Sequence, residues 1–244
     1  MGTAGRGKVL VVIPAYNEAD AIAGVVASVT QAVPFADILV VDDGSRDATS
    51  AVARAAGASV ATLPFNLGVG GAMRTGFRHA QREGYSAVVQ VDGDGQHDPT
   101  FIPHLLAALD QHDVAVGARF AGTGDYAVRG PRRWAMRGLA SGMSALMTTR
   151  LDDATSGFRA CGRRAISVYA QHYPAEYLGD TLETLVIARK SGLSVTQVPV
   201  AMRPRCTGRP SHGNVRSSVE LVRAGCVVML GLVREWPIIA DSSS

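Results

Sequence analysis

The chemistry of this sequence is concentrated in two carboxylates set one residue apart. Val88-Val89-Gln90-Val91 is an apolar run that ends abruptly in Asp92-Gly93-Asp94-Gly95-Gln96-His97. In an extended backbone, residues i and i+2 point the same way, so Asp92 and Asp94 converge on one side of the strand's end. Hard oxygen ligands of this kind suit Mg²⁺ or Mn²⁺, held by one or two carboxylates with positions left for phosphate oxygens. The glycines let a metal and a diphosphate approach the backbone closely. The pattern points to metal-assisted chemistry at a diphosphate. A polar turn closing a buried strand is the competing reading of an isolated Asp-x-Asp, and the surrounding elements decide between them.

Those elements alternate. Val9 to Ile13 is a continuous apolar β-type run that Pro14 ends, and Asn17 is placed to cap a helix through about Gln31, with Ile22, Val25, Val26 and Val29 facing inward. Ile38 to Val41 is the next buried strand, stopping at Asp42-Asp43-Gly44, and Ser45 caps a helix that ends at Gly57. Ser59 to Leu63, Tyr85 to Val91 and Asp113 to Val116 read as further strands. Gly68 to Glu83 and a segment opened by Pro99 read as helices. Strands apolar on both faces, alternating with helices, predict one mainly parallel central sheet flanked by helices. Ligands of such sheets bind beyond the carboxyl ends of the strands. Pro14 to Glu18, Asp42 to Ser45 and Asp92 to Asp94 all fall there, and three polar clusters at one edge outweigh turn chemistry.

Past residue 119 the pattern loosens. Residues 119–130 form a glycine-rich loop and 131–149 a helix, Thr155-Ser156-Gly157-Phe158-Arg159 starts a short strand, Asp180 to Ser191 is an amphipathic helix, and Val195 to Met202 is the last strand. No GxGxxG follows the first strand and no GxxxxGK[ST] occurs, which excludes Rossmann and P-loop nucleotide sites. The run Asn66 to Ala72, which includes Gly68, Gly70 and Gly71, has the glycines of a phosphate loop without its lysine, so close packing at a helix start is the favoured account.

Composition sets outer bounds. The chain has 244 residues, 47% of them hydrophobic, enough for a large core without disulfides. Cys161, Cys206 and Cys226 show no CxxC spacing, so neither a zinc site nor a disulfide framework is indicated. Residues 1–7 lack the apolar stretch of a signal peptide and read as a disordered lead-in. A formal charge of +3 is too small to argue for nucleic acid. The charge is nonetheless clustered, in Arg129, Arg132, Arg133 and Arg137 and again from Lys190 to Arg234. Arginine predominates, as suits bidentate contact with phosphate.

The motifs Pro14-Ala15-Tyr16-Asn17-Glu18, Val41-Asp42-Asp43-Gly44-Ser45, Asn66-Leu67-Gly68, Asp92 to His97, Gly117-Ala118-Arg119 and Thr155 to Arg159 come in the order seen in family 2 glycosyltransferases. The chain resembles, more narrowly, the polyprenyl (dolichyl) phosphate sugar synthases, over about residues 8–212. The resemblance implies a GT-A fold and an inverting transfer from a nucleotide diphosphate sugar to polyprenyl phosphate, with Mg²⁺ or Mn²⁺ as cofactor. It implies that Pro14, Tyr16 and Glu18 hold the nucleoside and that Asp42 or Asp43 reads the base or ribose, with Gly70 a further nucleotide-sugar candidate. Asp92, Asp94 and Gln96 match the metal and diphosphate positions. Arg119, Arg132 and Arg133 match basic residues that meet donor and acceptor phosphates. Arg205 and Ser211 fall on the acceptor-phosphate motif, where this chain carries one extra residue and His212 in place of the usual lysine.

A lipid phosphate is already ionised at neutral pH, so its attack on an anomeric carbon needs no general base. The protein's task is positioning and charge neutralisation. A family 2 enzyme acting on a glycan or small-molecule hydroxyl would need a base, for which Asp180 and Glu183 are the candidates. A non-catalytic nucleotide-sugar-binding protein is the third reading, and the intact acidic motif argues against it. A uridine-linked hexose or N-acetylhexosamine is preferred as donor over guanosine-linked mannose.

Residues 213–239 begin as a basic amphipathic helix and become apolar all round from Ala224 to Val233, too short to span a bilayer; residues 240–244 are a tail. Either this segment lies in a membrane interface, on the cytoplasmic face, or it packs on the domain or in a homodimer. A small membrane partner protein is the other route to a lipid acceptor.

Overall fold

The computed structural model describes residues 7–119, 153, 155–174 and 180–203. Its strands are β1 (Val9–Ala15), β2 (Asp37–Asp42), β3 (Ser59–Thr62), β4 (Ala87–Gln90), β5 (Val114–Ala118), β6 (Arg159–Gly162) and β7 (Val195–Pro199). Between them run α1 (Ile22–Ala32), α2 (Thr49–Ala55), α3 (Gly68–Arg82), α4 (Ile102–Ala108), α5 (Arg163–His172) and α6 (Asp180–Lys190). A single 3₁₀ turn, Pro99–Phe101, leads into α4, capped by the Asp98 carboxylate, which accepts the Thr100 N–H.

The strands form one sheet in the order β3-β2-β1-β4-β6-β5-β7. Pairs β1–β2, β1–β4, β2–β3 and β5–β7 are parallel, while β6 runs antiparallel to both β4 and β5. The expected single, mainly parallel sheet flanked by helices is therefore what the chain forms. Alternation along β1 sorts the core into two layers. Val9, Val11 and Ile13 pack with Ile22, Val26 and Val29 of α1 and Leu105 of α4, whereas Leu10 and Val12 pack with Met73 and Phe77 of α3 and Tyr169 of α5.

Three local expectations are corrected. Pro14 does not end β1; it pairs with Val41 inside the strand. The β1–β4 register runs only to Val12↔Gln90, so the missing proline N–H leaves no ladder bond unmade on that side. Nor do Asn17 and Ser45 cap helices. Asn17 turns the chain at φ 56°, its side-chain oxygen accepts the Arg46 N–H at 2.8 Å, and its own N–H donates to the Ser45 hydroxyl at 2.9 Å. Short polar side chains satisfy whichever backbone donor lies nearest. The parallel β1–β2 pair brings two loops side by side, so these residues tie loop to loop and the helices start later, at Ile22 and Thr49. The third correction concerns Thr155 to Phe158, which precede a strand instead of forming one; only Arg159 enters β6.

Among the described residues, no helix is long and apolar enough to cross a membrane. The proposed 131–149 helix and the segment 213–239 lie outside the described residues.

Candidate active site

A cleft of about 450 Å³ opens at the carboxyl ends of β1, β2 and β4. Pro14, Tyr16 and Glu18 supply one wall, Asp43 and Gly68 the next, and Asp92 and Asp94 a third; Thr155, Gly157 and Thr181 close the opposite side. The sheet thus brings together most of the residues singled out by sequence, from segments far apart in the chain.

Asp42 and Asp43 have different tasks. Asp42 is buried and turns away from the cleft: one carboxylate oxygen accepts the Ser45 N–H at 2.9 Å and the other the Ser50 hydroxyl. Asp43 lines the cleft and accepts the Leu67 and Gly68 N–H groups at 2.7 and 2.8 Å, anchoring the start of α3. Burial raises the Asp43 carboxyl above its ordinary range, the two N–H groups offset part of the rise, and the neighbouring Asp42 charge adds to it. Gly44, between this pair and Ser45, sits at φ +72° with Phe65 backbone atoms 2.8 Å from where a Cβ would stand. Gly70 lies buried in the first turn of α3, and of the glycines at the start of that helix it is Gly68 that lines the cleft.

The acidic loop is held from several directions. His97 is 5% exposed, stacks on Phe158 with ring centroids 4.8 Å apart, and accepts the Asp92 N–H at Nδ1 (3.0 Å). Its Nε2 then lies 3.5 Å from the Asp92 carboxylate. His97 supports the loop. Asp94 lines the cleft and accepts the Gln96 N–H at 3.0 Å. The Gln96 carbonyl in turn accepts the Arg203 N–H, and Arg203 reaches Asp98 at 2.8 Å. Gln96 itself is not among the residues lining the cleft; its backbone braces Asp94. Among the described residues, no group of three or more His, Cys, Asp or Glu stands ready to hold a metal. Two hard carboxylates at the mouth of a cleft fit an ion that draws its remaining ligands from a diphosphate and water.

Arg119 leaves β5 toward the same edge and is met by a residue that sequence reasoning passed over. Its Nε donates to Asp153 at 2.6 Å, and one terminal nitrogen donates to the other Asp153 oxygen at 2.9 Å and to the Thr155 hydroxyl at 2.7 Å. Asp153 is 2% exposed and also accepts the Thr155 N–H, while its carbonyl accepts from Gln197. Burial alone would raise this carboxyl, but the Arg119 bonds and charge, with the Arg119 and Thr155 N–H groups, bring it below 3.8. Arg159 is buried and joins the Ser156 carbonyl to the Thr184 hydroxyl, fixing α6 against the Thr155–Phe158 segment. On α6, Thr181 lines the cleft and Glu183 does not. Sequence reasoning also missed Gln90, Asp153 and Thr181; Asp153 alone had a signal, its place just before the Thr155 motif. Arg132, Arg133, Arg205, Ser211, His212 and the side chain of Asp180 lie outside the described residues.

With this geometry in hand, the family is clear: residues 10–170 match the family model for glycosyl transferase family 2, and the chain belongs to that family. It is 31% identical to polyprenol monophosphomannose synthase of Mycolicibacterium smegmatis, over 87% of this chain and 84% of that one. It is 33% identical to undecaprenyl-phosphate mannosyltransferase of Micrococcus luteus, over 94% and 96% of the respective chains. Its fold is that of glucosyl-3-phosphoglycerate synthase from Mycobacterium tuberculosis, solved with Mn²⁺, UDP and glucosyl-3-phosphoglycerate. That likeness has a TM-score of 0.72 at 23% identity, covering 98% of this chain and 82% of that one.

Proposed function

We propose that this protein transfers one sugar, with inversion, from a nucleotide diphosphate sugar to polyprenyl phosphate. A phosphate oxygen of the acceptor attacks the anomeric carbon as the bond from that carbon to the diphosphate breaks, and the nucleoside diphosphate leaves; no proton need move. Pro14, Tyr16, Glu18 and Asp43 hold the nucleoside, and Asp92 and Asp94 face the diphosphate. A Mg²⁺ or Mn²⁺ held by Asp92 and Asp94 supplies neutralisation of the leaving charge. Arg119 is fixed by Asp153 at the same edge, and Arg132, Arg133, Arg205 and Ser211 are assigned to the acceptor phosphate. The catalytic unit is residues 8–212, with 213–239 meeting the lipid at the cytoplasmic face.

The observation that carries this reading is the convergence of Asp92 and Asp94 with the Pro14–Glu18 wall and Asp43 on one cleft. The similarity to two proteins named for transfer to polyprenyl carriers supports the choice of acceptor. A hydroxyl acceptor would require a base, and of the two candidates named for it Glu183 does not line the cleft.

The test incubates purified protein and membranes with labelled UDP-glucose, UDP-N-acetylglucosamine and GDP-mannose, followed by organic extraction. Label passing into an extractable lipid from one donor is expected, and the panel identifies that donor. Label confined to water-soluble products would overturn the polyprenyl phosphate assignment.

A further inference from the structure

Gln90 is an amide at the end of a strand whose residues Ala87–Gln90 are all buried, and it is itself 2% exposed. Such a group costs free energy unless it is hydrogen-bonded. Its partners lie on two sides, one in the cleft and one in the core: Nε2 donates to the Asp92 carboxylate at 3.3 Å, and Oε1 accepts the Tyr173 hydroxyl at 3.5 Å. The direction of this relay is set by chemistry. An ionised carboxylate only accepts, so the amide nitrogen must face Asp92, which leaves the amide oxygen for the Tyr173 proton. Both contacts are long for hydrogen bonds, so they orient the carboxylate more than they neutralise it. Tyr173 is itself fixed, 2% exposed and with its ring 5.2 Å from Phe77 and 5.6 Å from Tyr169. Asp92 is therefore held by His97 through its backbone N–H and by Gln90 through its side chain.

We infer that Gln90 is a positioning residue, aligned by Tyr173, that presets the Asp92 carboxylate for a divalent cation. The inference rests on the proposed metal role of Asp92. Groups that orient a metal ligand without touching the metal typically change affinity about 10- to 100-fold when removed.

The test titrates Mn²⁺ into the purified protein, with and without UDP, and follows the resonance of the free ion against a Mn²⁺–UDP blank, with a thermal melt of each variant alongside. Gln90→Met keeps the volume and removes the donor. It should bind Mn²⁺ roughly tenfold more weakly while its melting midpoint stays near that of the unsubstituted protein, a split that a merely structural role would not give. Tyr173→Phe keeps the packed ring and should weaken binding in the same direction, by less. Asp92→Ala is the control. If it loses Mn²⁺ while Gln90→Met binds as the unsubstituted protein does, the inference on Gln90 is overturned and the metal reading stands. If Asp92→Ala binds normally, or the unsubstituted protein binds no Mn²⁺ even with UDP present, the metal reading falls and the inference with it. Should Gln90→Met fail to fold, Tyr173→Phe decides: wild-type affinity there removes the relay.

Discussion

Gly157 stands against the carboxylate of Asp92. A Cβ at position 157 would lie 3.2 and 3.3 Å from the two Asp92 oxygens and 3.1 Å from Nε2 of Gln90. The wall of the cleft formed by the Thr155 motif is thus spaced from the acidic loop by the absence of a side chain.

Gly157→Ala should therefore damage transfer while leaving the fold intact. The added methyl shifts Asp92 and Gln90 by a few tenths of an ångström, and misplacement of about 1 Å can cost roughly 100-fold in rate. A fall in kcat of about tenfold is expected, with circular dichroism unchanged. Wild-type turnover would show that the Asp92 carboxylate has no fixed position to defend.

Asp94→Ala removes an anionic group at the cleft and little core. Loss of charge stabilisation worth several kcal/mol corresponds to about 100-fold or more in kcat/KM. Near-normal turnover with Mg²⁺ or Mn²⁺ supplied would remove Asp94 from the metal site.

Asp153→Asn breaks the pairing with Arg119 without changing shape. Hydrogen bonds to charged groups contribute about 1.5–3 kcal/mol each, so a stability loss of about 2 kcal/mol at pH 7 is expected from denaturant midpoints. The Asp153 carboxyl titrates lower folded than unfolded. Its contribution is fully present above the ordinary value of 3.8 and is lost as pH falls below it through the folded value. The difference between the two proteins should accordingly shrink on acidification through that window; a gap that widened would contradict the assignment.

Truncation after Arg223 tests the lipid contact. A segment that meets membrane can be removed to leave a folded domain that still uses a short water-soluble prenyl phosphate but loses binding to liposomes. If the segment instead covers core, the shortened protein should aggregate or melt many degrees lower.

Much of the site was readable because parallel strands announce themselves by apolar runs and their carboxyl ends collect polar residues. Val9–Ile13, Ile38–Val41 and Val88–Val91 located the Pro14–Glu18 wall, Asp43 and the Asp92–Asp94 pair in this way. What could not be read were relationships made in three dimensions. Asp153 sits 34 residues from Arg119 in the chain and belongs to no motif of its own. Asn17 and Ser45 carry the side chains of helix caps, and only the adjacency of two loops diverts them. The direction of β6 is equally silent, because Arg-Ala-Cys-Gly has no pattern that distinguishes a parallel from an antiparallel neighbour. Gln90 looked like an ordinary member of an apolar strand, since its importance lies in what Tyr173 and Asp92 bring to it.

The antiparallel placement of β6 also decides how this rim of the sheet is held. Because β5 and β6 run oppositely, the end of β5 at Ala118 and the start of β6 at Arg159 lie on one rim, and the Arg119–Asp153 pair fastens the segments beside them together. The fastening passes on through the Thr155 hydroxyl, which accepts from Arg119, to the segment that sets Gly157 against Asp92. A change at Arg119 or Asp153 is therefore felt at the acidic loop, through the backbone that joins Thr155 to Gly157.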